Sequence, residues 1–341
     1  MDNSKVLFRQ WLKIGGAIIF YWCNSIGMIF FNKFLFSSKD LDLNAPLFVT
    51  WFQGIITVLF CLIGGITIGD SIPIIGTFPK ITFDFKMASN CLLLSVVTAI
   101  SITFKNLTLT KIEIAFYSVS LAMGTIFTVL FSWMILKQRI SIVIMLTCVV
   151  IVAGFALSVE QQRELAGLSM VGLFYGVMSS IIGPLSQIQL KRTLSIVNNL
   201  WVLTFYTNFN VLFIYPVLSI MLGEYESLMK FKQLTNPFFW VLLTLSGFVG
   251  VSLSIAISLQ VSLTSPLTSN ISGVAKNCIQ TVLAVLVNPE AKSGTWWLGN
   301  LAILGGSGAY TIVRMEEMKV QTVKVVSSEV KMEEGIVDEK S

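Results

Sequence analysis

SIVIMLTCVVIVAGFALSV, residues 141–159, runs for nineteen residues without a charge. Coiled as an α-helix at 1.5 Å per residue, it is about 28 Å long, close to the roughly 30 Å hydrocarbon core of a bilayer. Runs of similar character lie on both sides of it, at 12–35, 47–69, 86–104 and 113–136 before it and at 168–188, 200–221, 238–260, 268–288 and 294–314 after it. The expected fold is an all-α membrane protein of ten transmembrane helices. The short connections imply antiparallel neighbours in one bundle. The two longest lie near 70–85, with Pro73, Gly76 and Pro79, and at 222–237, with Glu224, Glu226, Lys230 and Lys232.

Composition points the same way. Of 341 residues, 55% are hydrophobic and 12% charged, against about 25% charged in a soluble domain. Mean hydropathy is +0.81. The chain has no His, so the commonest metal ligand and the usual neutral-pH base are missing. Cys23, Cys61, Cys91, Cys148 and Cys278 lie in or beside apolar runs and form no C-x-x-C pair; they are read as small buried hydrophobes rather than as a metal site or disulfide framework. No P-loop, G-x-G-x-x-G or G-x-S-x-G occurs, and an enzyme is not expected. No cofactor or metal is expected either. The net charge of +5 resides mainly at the ends of apolar runs, where orientation rules explain it without nucleic-acid binding. The first run continues from near Gly15 to about Leu35. That exceeds a signal-peptide core of about 7–15 residues, so it is read as an uncleaved span.

An even span count places both termini on one side. With the N-terminus inside, the inside segments hold more Lys and Arg, including Lys80, Lys86, Lys137, Lys191 and Arg192, than the outside segments, which include Lys33, Lys105 and Lys111. The positive-inside rule therefore favours cytosolic termini. Five spans in each half make two inverted repeats, 1–163 and 164–314, followed by a mixed-charge tail, 315–341, read as a flexible cytosolic extension. One internal echo supports the doubling: Thr128-Val129-Leu130 precedes Arg139 at the same spacing at which Thr281-Val282-Leu283 precedes Lys292. Chance apolar similarity is the rival explanation.

Lys276 is the most informative residue. By these boundaries it alone among Lys and Arg sits well inside an apolar run, where a bare lysine costs about 2.5–3.5 kcal/mol. A partner, a water-filled cavity or an anionic ligand must offset that cost; snorkelling or bonding to a carbonyl is the alternative. No Asp or Glu lies deep in any run, since Glu113 stands at an end, and an anionic substrate is the simplest partner. Ser269, Asn270, Ser272 and Gly273 precede the lysine, and Asn277 and Gln280 follow it, permitting close approach and hydrogen bonding. A second constellation, Thr204 to Asn210, holds Tyr206, Thr207 and Asn208 in the seventh run. Tyr206 is suited to stacking on a base and Asn208 to reading its donor and acceptor edges, with interhelical glue as the alternative. Smaller polar groups are Tyr21, Asn24 and Ser25 in the first run and Phe116-Tyr117-Ser118 at the start of the fourth.

These residues resemble the nucleotide-sugar transporters of the drug/metabolite transporter superfamily, and among them the carriers of GDP-fucose. The likeness covers nearly the whole chain except the tail. In the seventh run it rests on Leu203-Thr204-Phe205-Tyr206 with Asn208 and Asn210. In the ninth it rests on Thr264-Ser265-Pro266-Leu267-Thr268, Asn270, Ser272-Gly273, Ala275-Lys276 and Gln280 to Leu286. In the last it rests on Leu304-Gly305-Gly306-Ser307 and Ala309-Tyr310-Thr311. The resemblance implies ten spans, cytosolic termini and exchange of cytosolic nucleotide sugar for lumenal nucleoside monophosphate, GDP-fucose for GMP, across the Golgi membrane or the endoplasmic reticulum. Phe205, Tyr206 and Asn208 match a nucleotide-binding Phe-Tyr-Asn-Asn motif of GDP-sugar carriers, with Thr207 in place of its first Asn. Lys276 matches the lysine of a Gly-Ala-Leu-Asn-Lys motif, and Tyr21 a first-span tyrosine. The implied substrate-binding set is Tyr21, Tyr117, Tyr206, Thr207, Asn208, Ser272, Gly273 and Lys276. Leu121 departs from the pattern, standing where GDP-fucose carriers hold arginine; a site without that guanidinium holds its diphosphate differently or takes another substrate. The alternatives are another nucleotide sugar or organic phosphate, or a non-transporting membrane scaffold. Expected partners are a nucleotide sugar, a nucleoside monophosphate and the lipid bilayer, with a homodimer left open and no nucleic acid.

Overall fold

The computed structural model describes residues 3–37, 43, 45–67, 82–136, 140–166, 169–264, 266–287, 293–310, 312, 313 and 316. Among them the chain is helical, with no strand. The helices are α1 (Asn3–Ser37), α2 (Pro46–Thr67), α3 (Phe85–Lys111), α4 (Ile114–Ala122), α5 (Gly124–Leu136), α6 (Ile142–Ala166), α7 (Met170–Val197), α8 (Leu200–Met221), α9 (Glu224–Lys230), α10 (Pro237–Leu263) and α11 (Pro266–Val287), followed by α12 at 294–310. Several starts are written locally. The side chains of Asp84, Ser169, Asn199 and Asn236 accept the first free backbone N–H groups of α3, α7, α8 and α10, the orphan donors that an N-cap satisfies. Pro237 occupies the first turn of α10, where its missing N–H costs nothing.

α1 packs along α10 and α3 along α7. α2 lies against α8 and α10, α3 also against α8, and α4 against α11. α6 and α12 approach through glycines. A Cβ on Gly154 would stand 2.7 Å from the Gly299 carbonyl oxygen, and one on Gly299 would stand 2.6 Å from the Ser158 hydroxyl. Bare backbones permit this separation, as small residues do at membrane helix crossings. The two helices run antiparallel, with Ser158 beside Gly299, Ile151 beside Ile303 and Gly306, and Ile144 beside Tyr310. Large apolar side chains cover the outside: Ile66, Ile142, Met221 and Leu286 are each more than 70% exposed. An apolar face of this breadth belongs against lipid.

Three expectations are corrected. Among the described residues, eight helices are long and apolar enough to cross a membrane by length and composition. The ninth and tenth runs are helical, as α11 and α12, and Ala275–Val287 of α11 forms an apolar stretch. The fourth run, expected as one helix over 113–136, breaks at Met123. There the Ser120 carbonyl accepts both the Ser180 hydroxyl of α7 and the Met123 N–H, and this competition diverts it from the next helical N–H. The third run continues to Lys111 rather than ending at 104. The Thr108 and Thr110 hydroxyls donate back to the carbonyls of Phe104 and Leu107, and Asn106 donates to Thr50 at 2.7 Å, so its polar residues are satisfied inside the bundle. Lys105 therefore lies within the span, not in an outside segment. Cys61 and Cys91 are buried as expected, but Cys23 is exposed; a lipid-facing surface is itself apolar and tolerates a thiol. Arg139, Lys292 and the tail apart from Glu316 lie outside the described residues.

Candidate functional site

Lys276 stands at the middle of the 22-residue α11, near the bilayer midplane if that helix spans. Only 4% exposed, it donates to the Ser25 hydroxyl of α1 and to Gln280 Oε1, each at 3.2 Å. Gln280 Nε2 donates to the Ser118 hydroxyl of α4 at 2.6 Å. The spacing from Lys276 to Gln280 is one helical turn, which places both on one face. The result is a polar thread through three helices, Ser25–Lys276–Gln280–Ser118. Its second tie is the Trp22 indole N–H, which donates to the Ser272 hydroxyl at 2.9 Å. The ammonium also lies 6.0 Å from the centroid of the Tyr21 ring, at the outer limit of a cation–π contact.

Every acceptor of the Lys276 ammonium is neutral. Two charge-assisted hydrogen bonds, at about 1.5–3 kcal/mol each, roughly match the cost of inserting the lysine. The ammonium is thus tolerated in place without being neutralised. Tyr21 lies within hydrogen-bonding reach of Ser25, and Tyr117 of α4 lies within electrostatic reach of Tyr21. Gly273 presents open space, since a Cβ there would meet no atom within 4 Å. Tyr21, Tyr117, Ser272, Gly273 and Lys276 thus share one neighbourhood between α1, α4 and α11.

The α8 residues lie elsewhere, packed on α2 and α3. The buried Tyr206 hydroxyl donates to the Thr82 carbonyl at 3.1 Å and accepts the Asp84 N–H at 2.7 Å. Its ring packs beside Phe83 and Phe205. Its hydroxyl is engaged in holding the entry to α3. Asn210, at the end of the same constellation, bridges to the Ala88 carbonyl and the Ser95 hydroxyl. Asn208 donates within its own helix to the Thr204 carbonyl, leaving its Oδ1 as an acceptor toward Gly54. The Thr207 hydroxyl is buried with no hydrogen-bond partner.

The profile of the Triose-phosphate Transporter family matches residues 12–310. The chain belongs to this family. It is 43% identical to GDP-fucose transporter 1 of Mus musculus, over 93% of this chain and 87% of that one. It is 41% identical to GDP-fucose transporter 1 of Monosiga brevicollis, over 96% and 97% of the two chains. It is 37% identical to the Drosophila melanogaster protein named GDP-fucose transporter, Golgi, over 94% and 96%. A solved protein structure aligns with a TM-score of 0.55 over 89% of this chain and 97% of its own, at 13% identity, a likeness of fold.

This member of the family adds residues that the sequence did not single out. Trp22 and Lys105 are the two that matter. Lys105 is half-buried within α3, and its ammonium lies within electrostatic reach of Lys276. The polarity of the stretch Lys105 to Lys111 makes it look like a loop; its continuation as helix is the signal that was missed.

Proposed function

We propose that this chain exchanges a cytosolic nucleotide sugar, GDP-fucose, for lumenal GMP across the Golgi membrane by alternating access. The observation that carries the reading is Lys276, a buried ammonium at the middle of α11 whose hydrogen-bond partners are all neutral. A charge left uncompensated in low dielectric favours an anionic ligand. The choice of nucleotide sugar rests on the names borne by full-length relatives. Tyr21, Tyr117, Ser272 and Gly273 would surround the phosphates beside Lys276. In α8, Asn208 Oδ1 and the Thr207 hydroxyl would meet the base, with Tyr206 fixing the segment that carries them. Guanine presents N–H donors that suit a carboxamide oxygen.

Ten spans in two inverted repeats, 1–163 and 164–314, belong to the same proposal. Helix pairing supports it. Shifting each span by five turns the α1–α10 contact into α7–α3 and the α2–α10 contact into α8–α3, and all four are present. The contacts α2–α8 and α4–α11 map onto themselves, as does α6–α12. Rocking of one repeat on the other about a midplane site is the motion this symmetry favours. Proteoliposomes loaded with GMP, other nucleoside monophosphates or buffer test the reading. Labelled GDP-fucose should enter GMP-loaded vesicles and not buffer-loaded ones. Uptake of a different nucleotide sugar would reassign the substrate, and uptake of none would leave a scaffold.

A further inference from the structure

The orientation of the Gln280 amide is set by its neighbours. Ser118 Oγ donates to the Ile114 carbonyl at 2.9 Å, so its one hydrogen is spent and toward Gln280 it can only accept. Gln280 therefore presents Nε2 to Ser118, at 2.6 Å, and Oε1 to the Lys276 ammonium, at 3.2 Å. The side chain is fully buried, and turning its amide would leave both partners unmet. Among the described residues two bonds join α1 to α11, Ser25–Lys276 and Trp22–Ser272. On the two-repeat reading α1 belongs to one repeat and α11 to the other, so rocking must loosen this join. The Lys276 bonds are its weak members. Both measure 3.2 Å, whereas an ammonium on an anionic oxygen sits at about 2.7–2.9 Å. A displacement of about 0.4 Å takes either one beyond hydrogen-bonding distance. Gly273, where a Cβ would meet no atom within 4 Å, lies one turn before Lys276, and Gln280 lies one turn after it, on the same helix face. An anion beside Gly273 would draw the ammonium away from Gln280.

We propose that Gln280 is a positioning residue that offers the Lys276 ammonium a neutral acceptor, and that a phosphate taking its place opens the Ser25–Lys276 bond and frees α1 from α11. This rests on the nucleotide-sugar reading and gives that site its coupling of binding to movement. In the empty protein the tie holds; in the loaded protein the ammonium turns to the phosphate and the tie is released. A carrier built this way changes sides with ligand bound and not without it. The amide is the chemistry the task needs. A carboxylate at position 280 would pair with the ammonium and cancel the charge that attracts a phosphate. An amide of the same length parks the ammonium without cancelling it, and lysine on its flexible stem can follow the stronger acceptor when it arrives.

The test uses the purified full-length protein. Inorganic pyrophosphate should raise the melting temperature of the parent. Gln280→Glu should melt higher than the parent without ligand, and its affinity for pyrophosphate should fall roughly tenfold or more, as expected when a charge-assisted contact is lost. In a Lys276→Met background the same Gln280→Glu change should lower the melting temperature, because the carboxylate is then buried without a partner. That reversal of sign reports the contact itself, which a merely structural glutamine would not show. In proteoliposomes, Ser25→Ala should raise the ratio of labelled GDP-fucose uptake by buffer-loaded vesicles to uptake by GMP-loaded ones severalfold, and Ser25→Thr, which keeps the hydroxyl, should restore the parent ratio. A parent indifferent to pyrophosphate, a Gln280→Glu variant that binds it like the parent, or a Ser25→Ala variant that leaks no more than the parent overturns the inference. If the parent exchanges GDP-fucose for GMP while Gln280→Glu binds pyrophosphate equally well, the inference falls and the transport reading stands. If pyrophosphate stabilises the parent and not Gln280→Glu, yet no nucleotide sugar is transported, the role of Gln280 stands and the transport reading falls.

Discussion

Lys276 holds a charge with neutral neighbours alone, and removing it separates structure from function. Lys276→Ala deletes an ammonium that costs about 2.5–3.5 kcal/mol to bury, along with two hydrogen bonds of comparable total worth. The ligand-free melting temperature should therefore change little or rise. Counterflow of GDP-fucose should fall severely, and nucleotide should no longer stabilise the protein against heat. Lys276→Arg should restore only part, because a planar guanidinium does not replace a point charge. Normal transport by Lys276→Ala would make the lysine structural. At this scale the sequence is legible where chemistry clashes with its surroundings: a lysine in the apolar run around α11 announces itself. Lys105 does not, because Asn106, Thr108, Thr110 and Lys111 follow it and resemble the polar edge of a span. What keeps that stretch helical includes the hydrogen bond from Asn106 to Thr50, and contacts between segments so distant along the chain leave no local trace. Tyr206 shows a contact that its motif does not foretell. Its motif points to a nucleotide, while its hydroxyl is held by Thr82 and Asp84.

Among the elements, the join between α9 and α2 has a measurable pH dependence. Pro46 opens α2 and has no N–H, and the next two donors, Leu47 and Phe48, are taken by the Glu224 carboxyl at 3.0–3.3 Å. Burial pushes this carboxyl up to about 7 from its ordinary 4.5, against the opposing pull of those N–H groups and the Ser219 hydroxyl. The folded protein thus binds the proton more tightly than the unfolded chain does, so Glu224 contributes a stability that declines as pH rises from about 4.5 to about 7 and is level above. Glu224→Gln keeps an acceptor for the Leu47 N–H and removes the titration. The melting-temperature difference between parent and variant should change across that window and be constant from about pH 8 upward. A constant difference at every pH would mean that Glu224 does not titrate there. Nothing near Pro46 in sequence foretells this cap, since its carboxylate comes from the connection between α8 and α10. The break at Met123 is hidden for the same reason, because the hydroxyl that causes it belongs to Ser180 on α7. The starts of α3, α7, α8 and α10, by contrast, are legible in Asp84, Ser169, Asn199 and Asn236, whose partners are one turn away.

Across the whole molecule, the question is on which side of the membrane the chain ends. Among the described residues, hydropathy alone reaches eight spans. Packing bears on the other two runs. α12 follows α6 in antiparallel contact from Ser158 beside Gly299 to Ile144 beside Tyr310. On α12 the contact from Gly299 to Tyr310 rises about 17 Å, more than half of the hydrocarbon thickness. On the ten-span proposal α12 crosses the membrane beside α6. α6 is the fifth to cross, so in an alternating chain it runs in the direction of α1, and α12 runs against it. Both termini should then share one side, and the bias of Lys and Arg makes that side the cytosol. If α12 stayed at one face, the C-terminus would emerge opposite the N-terminus, as in a nine-span chain. Tags on each terminus, exposed to protease in sealed vesicles of known orientation, distinguish the two: both should be cleaved from the cytosolic side without detergent. The second measurement is Gly154→Leu, whose side chain would collide with the Gly299 carbonyl and pry α12 from α6. If α12 spans because it is packed there, this variant should lower the melting temperature sharply and increase protection of the C-terminal tag. A variant as stable as the parent, with its C-terminal tag cleaved equally, would mean that α12 crosses without α6, and a C-terminal tag protected in the parent itself would end the ten-span reading.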